Sequence, residues 1–122
     1  MATHVEIKTS ELTGKALDWA VASALNGTVL MNKAFCDLKL GQSFTVAVLD
    51  SRIKPTTDWG QCGILIDEFG VEFKWSSDAT IEAYSHTMSE NHARGCDHRV
   101  AACRLIAMEL GETVMVPTSL LK

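Results

Sequence analysis

Val5 and Ile7 alternate with His4, Glu6 and Lys8, the period of two that marks a half-buried strand. Ser10 then stands as a helix cap with Glu11 behind it, and Leu12, Ala16, Trp19, Ala20 and Ala24 recur at helical spacing, so a helix follows the strand. Leu17, Val21 and Leu25 widen its apolar arc until only Lys15, Asp18, Ala22 and Asn26 remain for solvent. The pattern predicts a deeply buried helix, closed by Asn26-Gly27 in the left-handed conformation.

The next segments carry less periodicity. Residues 28–31 read as a short strand, 32–42 as an irregular excursion, and 44–49, apolar on both faces, as a central strand. Residues 51–63 form the most loop-like stretch, because Pro55 disfavours helix at Lys54 and two glycines follow; residues 64–69 then read as a short helix. Val71, Phe73 and Trp75 alternate with Glu72 and Lys74, and Ile81 and Ala83 alternate with Thr80, Glu82 and Tyr84, across Ser76-Ser77-Asp78. That is a hairpin with one wet face. Trp75, on the face of Val71 and Phe73, is expected in the core; Tyr84, on the face of Thr80 and Glu82, is expected to be accessible. Residues 86–96 are polar and aperiodic, a loop. Asp97 is placed to cap a last helix running to Leu110 and closed by Gly111, before a strand over 113–116 that Pro117 stops. The order predicts an α+β fold, with two main helices packed on a mostly antiparallel sheet in a single domain spanning residues 1–122.

Composition narrows the functions open to such a fold. A chain of 122 residues, 47% hydrophobic, buries roughly 65% of its unfolded surface and needs no disulfide or metal merely to fold. Eleven Lys plus Arg against 15 Asp plus Glu give a formal charge of −4, the wrong sign for gripping a nucleic-acid backbone. No apolar run approaches the about 18 residues of a membrane span, and residues 1–10 carry no leader-like pattern. A soluble cytoplasmic protein with no nucleic-acid or membrane partner is therefore expected. In a reducing compartment Cys36, Cys62, Cys96 and Cys103 are free thiols, and Cys36, Cys62 and Cys103, in apolar or small-residue surroundings, serve as packing residues.

Thr57-Asp58-Trp59-Gly60-Gln61 joins a hydroxyl, a carboxylate, an indole and a carboxamide in one loop, chemistry suited to a small polar ligand with a flat ring. Trp59 would stack on a base, Asp58 accept from a ribose diol, Gln61 read an amide edge, and backbone N–H groups near Gly60 face a phosphate. The same residues also read as a plain capping box, Asp58-x-x-Gln61, with Trp59 anchoring the loop on the core. The two roles are compatible. Trp75 and Tyr84 are the two candidates for a second aromatic wall, and Tyr84, on the accessible face, is the better one. Arg104, embedded in an apolar helix, needs a carboxylate, carbonyl or ligand phosphate.

Other constellations are weaker. His92, Cys96, His98 and Cys103 offer nitrogen and sulfur donors, but their spacing matches no regular zinc site, so neither a metal nor another cofactor is expected. The start of the last helix, His98-Arg99, would attract phosphate if Asp97 did not occupy its N–H groups. No nucleophile elbow, phosphate loop, dinucleotide-binding fingerprint or His-Glu-x-x-His occurs, and Cys96 with His98 lacks an orienting third group. A non-enzymatic protein is expected.

Three stretches, residues 7–22 (IKTSELTGKALDWAVA), 57–66 (TDWGQCGILI) and 101–107 (AACRLIA) with Gly111-Glu112 and 114–117, together resemble the NinX-like family of small accessory proteins of tailed bacteriophages. Residues 32–42 and 88–96 depart from the family's pattern, and Cys62 stands where a glycine is more usual. The resemblance implies a phage origin and residence in the cytoplasm of an infected bacterial host, but brings no chemistry with it. Joined to the loop's composition, it leads to one expectation: stoichiometric capture of a nucleotide-derived immune signal, such as a cyclic ADP-ribose or cyclic oligonucleotide, at Thr57, Asp58, Trp59, Gln61, Tyr84 and Arg104. Helices apolar over most of their circumference suggest a homo-oligomer that completes the pocket. The rival is an inhibitor or modulator binding a host or phage protein through a hydrophobic patch, and a weaker one is a hydrolase of such a signal.

Overall fold

The computed structural model describes residues 4–25, 44–85 and 92–121. Strand β1 (His4–Lys8) pairs antiparallel with β5 (Thr113–Pro117), Val5 opposite Val116 and Ile7 opposite Val114. Thr9 closes this ribbon at its end: its N–H donates to the Glu112 carbonyl at 2.9 Å and its hydroxyl to that of Gly111 at 2.9 Å. A 3-10 turn, Thr9–Glu11, takes up the Ser10 position expected to be the cap, so that Thr13 stands at the N-cap and α1 runs over Gly14–Ala24.

Helix α1 is buried more completely than its pattern implied. Asp18 and Ala22, assigned to solvent, are covered along with Ala16, Leu17, Ala20 and Val21, because α1 packs on α2 (Phe44–Leu49), on α4 (His98–Ala107) and on β5, while Thr56 closes over Asp18. Helix α2 (Phe44–Leu49) replaces the expected central strand. An unbroken apolar run has no period to separate the two; here Ala47 and Val48 are buried while Val46 and Leu49 are exposed. The chain turns off α2 through Asp50 N–H to the Val46 carbonyl and Arg52 N–H to that of Ala47.

Helix α3 (Trp59–Phe69) begins five residues earlier than its periodicity predicted, since Asp58 caps it. It ends at Gly70, whose φ of 60° is the left-handed turn that glycine adopts without strain. The hairpin is as expected, β2 (Val71–Ser77) against β3 (Thr80–Ser85), and β4 (Ala93–Gly95) adds a third antiparallel strand within the stretch read as loop. Gly95 is required there, because a Cβ would lie 2.6 Å from the Ala101 nitrogen in α4. Helix α4 (His98–Ala107) starts as predicted, with Asp97 accepting from the Val100 N–H at 2.9 Å, and gives way to a 3-10 turn, Met108–Leu110.

The architecture is α+β, with four α-helices and two antiparallel sheets among the described residues. The expectation of two main helices on one sheet is corrected on both counts: the apolar runs at 44–49 and 59–69 fold as helices, and the β1–β5 ribbon is separate from β2–β3–β4. One apolar cluster unites them, with Ala101, Ala102, Cys103, Leu105, Ile106 and Ala107 of α4 at its centre. No helix among the described residues is long and apolar enough to cross a membrane. The expectations for Asn26-Gly27, the strand at 28–31, the excursion at 32–42 and Cys36 lie outside the described residues.

Candidate functional site

The 57–61 segment divides into residues that hold it, Asp58 and Gln61, and residues that it presents, Thr57 and Trp59. Asp58 accepts the Gln61 N–H at 3.1 Å and so caps α3. The Gln61 side chain does not complete the capping box; it turns inward, its Oε1 accepting from the Lys54 N–H and its Nε2 donating to the Arg52 carbonyl, both at 2.7 Å. The carboxamide is thus spent on knitting residues 52–54 to the helix. Thr57 is exposed, its hydroxyl 3.4 Å from the Lys54 carbonyl. Trp59, at the first position of α3, projects outward and is 54% exposed.

Around that indole the structure gathers side chains from α4 and β2. The Arg99 guanidinium lies 4.9 Å from the Trp59 ring centre, a cation–π distance, while its Nη1 donates to the Thr57 carbonyl at 2.9 Å. His98 touches three aromatic rings, with centres 6.4 Å away for Trp59, 4.8 Å for Phe73 and 6.3 Å for Trp75. Trp75 is 65% exposed, not core. Val71 and Phe73 lie under the helices as the alternation demands, but Trp75, two residues further on, overhangs the first turn of α4 at the hairpin's tip. Beside it an open hollow of about 380 Å³ is lined by Trp75, Ser76, Ser77 and Asp78.

In the sequence Trp75 stands with Tyr84 as a candidate second aromatic wall but reads as core, and His98-Arg99 reads as a phosphate site that Asp97 occupies. The sequence therefore held a signal for all three residues. What it lacked was proximity, since nothing in the spacing shows that residues 57–59 and 98–99 meet.

Tyr84 does not share this site. The register sets Tyr84 opposite Glu72 and Ala83 opposite Phe73, so Tyr84 occupies the other face of the sheet from Phe73 and Trp75. There it stacks on His92, ring centres 5.4 Å apart, with the Lys74 ammonium 5.8 Å away. Glu82, on the same face, is nearly buried beneath His92, Lys74 and Arg94, bonding His92 Nδ1 and lying 3.6 and 3.7 Å from the two cations. The His92 hydrogen bond, helped by the cations, holds its carboxyl below the usual range. Arg104 is also placed elsewhere: Nε donates to the Leu12 carbonyl at 2.9 Å and Nη1 to that of Arg94 at 2.8 Å, the carbonyl pairing that was one of its two readings.

Beneath the site, Asp18 accepts the Thr56 N–H at 2.9 Å. Burial pushes its carboxyl up to about 6, opposed by the Thr56 hydrogen bond and the Lys15 charge. Cys62 and Cys103 are buried free thiols and Cys96 is an exposed one; hydrogen bonding to Cys62 and burial hold the Cys103 thiol well above the ordinary thiol range. Among the described residues no three His, Cys, Asp or Glu side chains converge to hold a metal ion. His92 is turned to Glu82, His98 to the indoles and Cys103 to the core.

Fold and site together define a small α+β protein that presents an exposed indole, an imidazole and a guanidinium where the N-termini of two helices meet. The family model described as Bacteriophage P22, NinX matches residues 8–109, and the chain belongs to that family, as the resemblance of the three stretches implied. No curated protein and no solved structure matches the chain.

Proposed function

We propose that this phage protein captures a nucleotide-derived small molecule, such as a cyclic ADP-ribose or a cyclic oligonucleotide, and sequesters it without turnover in the cytoplasm of the infected host. The observation that carries the reading is the exposed Trp59 indole with the Arg99 guanidinium against it. An exposed indole offers a stacking surface for a base, and a guanidinium beside it is suited to a phosphate. The roles first given to Asp58, Gln61, Tyr84 and Arg104 pass to other residues: Trp59 and His98 supply the ring contacts, Arg99 the charge, and Thr57 an exposed hydroxyl. A homo-oligomer belongs to the proposal, but its support shifts. The apolar circumference of α1 is used within the chain, whereas Val5 and Met115 on the β1–β5 ribbon are exposed.

A second reading, a protein-binding inhibitor, draws on the same composition, since exposed Trp and Arg are common anchors of protein interfaces. One experiment separates them. The protein is incubated with cyclic ADP-ribose and with cyclic dinucleotides, its melting is followed, and the released small molecule is identified after heating. Capture gives a thermal upshift and an intact molecule, a hydrolase gives an altered one, and a protein binder gives no shift with any nucleotide.

A further inference from the structure

The aromatic surface does not end at Trp59. His98 touches both Trp59 and Trp75 at almost the same distance, 6.4 and 6.3 Å between ring centres, so the indoles stand apart by no more than twice that distance. Both are more than half exposed. They come from different elements, the start of α3 and the tip of the β2–β3 hairpin, and are bridged by a residue of a third. A tryptophan needed only for packing turns inward, as Phe73 on the same strand face packs against the core; a Trp carried near a hairpin tip beside a histidine leaves a large apolar face in water. Next to it the hollow of about 380 Å³ lined by Ser76, Ser77 and Asp78 supplies hydroxyl donors and a carboxylate acceptor, the chemistry that holds a ribose diol. Arg99 lies at the Trp59 end.

We infer that the site is bipartite and takes a ligand with two nucleosides. One base stacks on Trp59 beside Arg99, the second stacks on Trp75 with its ribose at Ser76, Ser77 and Asp78, and the linking phosphates pass over His98. This rests on the nucleotide-capture reading and selects, within it, dinucleotides over mononucleotides. A single nucleotide engages one indole and leaves the other in water.

The test titrates calorimetrically the linear dinucleotides pApA and pGpG against AMP and GMP, on the wild-type protein and on Trp59→Ala and Trp75→Ala. Both side chains are exposed, so both variants keep the fold, checked by their melting. A second base–aromatic contact is expected to raise affinity by about fivefold or more. At least one dinucleotide should therefore bind at least about fivefold more tightly than its mononucleotide. Trp75→Ala and Trp59→Ala should each remove that advantage, leaving a dinucleotide no tighter than its mononucleotide on the same variant. Equal affinity for the two classes, or a dinucleotide indifferent to Trp75→Ala, overturns the bipartite site and leaves single-site capture standing. Binding of none of the four probes by a protein that binds a cyclic dinucleotide also overturns the bipartite site and leaves capture of a cyclic ligand standing; binding of neither linear nor cyclic nucleotides overturns both.

Discussion

Arg99 joins two helix starts: its guanidinium lies 4.9 Å from the ring centre of Trp59 while its Nη1 donates to the carbonyl of Thr57 at 2.9 Å. One side chain from α4 therefore fixes both the backbone before the indole and the indole itself. Removing it by Arg99→Ala loses a charged hydrogen bond and a cation–π contact, an expected destabilisation of about 1–3 kcal/mol. Ligand affinity should fall with it. Lysine at this position retains charge but not the planar fork, so Arg99→Lys should recover part of the stability and less of the binding, as chemical denaturation and calorimetry would show.

Arg104 makes the opposite prediction. It bonds the carbonyls of Leu12 and Arg94, tying the start of α1 and strand β4 to α4, and it lies away from the indoles. Arg104→Ala should cost about 2–4 kcal/mol by urea denaturation, with two carbonyls losing a charged donor. Arg104→Lys cannot span both and should recover less than half. Under conditions where the variant stays folded, nucleotide affinity should match wild type.

The Gln61 carboxamide is both donor and acceptor, to the Arg52 carbonyl and from the Lys54 N–H. Gln61→Glu keeps the acceptor and removes the donor, setting a carboxylate against a carbonyl. The expected loss is about 1–3 kcal/mol, read as a lower melting temperature, together with weaker ligand binding as the loop that presents Trp59 loosens.

Asp18 sets a pH dependence. Its carboxyl is pushed up to about 6 by burial from the ordinary 3.8, so between those values the folded state binds more protons than the unfolded one. Stability from this group is therefore fully present below 3.8 and is lost as pH rises through about 6. Asp18→Asn keeps an acceptor for the Thr56 N–H and removes the ionisation. Its stability relative to wild type should increase by about 1 kcal/mol between about pH 5 and about pH 8, measured as the difference in urea midpoints at each pH.

Sequence patterning revealed the parts of the fold with a clear period or a strong cap: β1, α1, the β2–β3 hairpin, the Asp97-capped helix and the last strand. It failed where tertiary contacts decide. The run at 44–49 has no period to distinguish strand from helix, and Asp18, polar at a helical solvent position, is buried because Thr56 satisfies it. β4 has only three residues and no alternation to detect. At the site, Trp59 and the Asp58 cap could be read locally. The contribution of Arg99, and the exposure of Trp75 beside His98, depend on how α3, α4 and the hairpin converge, and strand alternation alone separates Tyr84 from them only once the register is known.

The central claim is that the surface around Trp59 receives a nucleotide-like ligand. The most direct measurement is a calorimetric titration of wild type and Trp59→Ala with cyclic ADP-ribose and cyclic dinucleotides, both proteins shown by their melting to be folded at the titration temperature. Saturable binding by wild type at about one ligand per site, lost in the variant, is the predicted result. Equal affinity in the two proteins, or no heat of binding with any of these ligands, would contradict it.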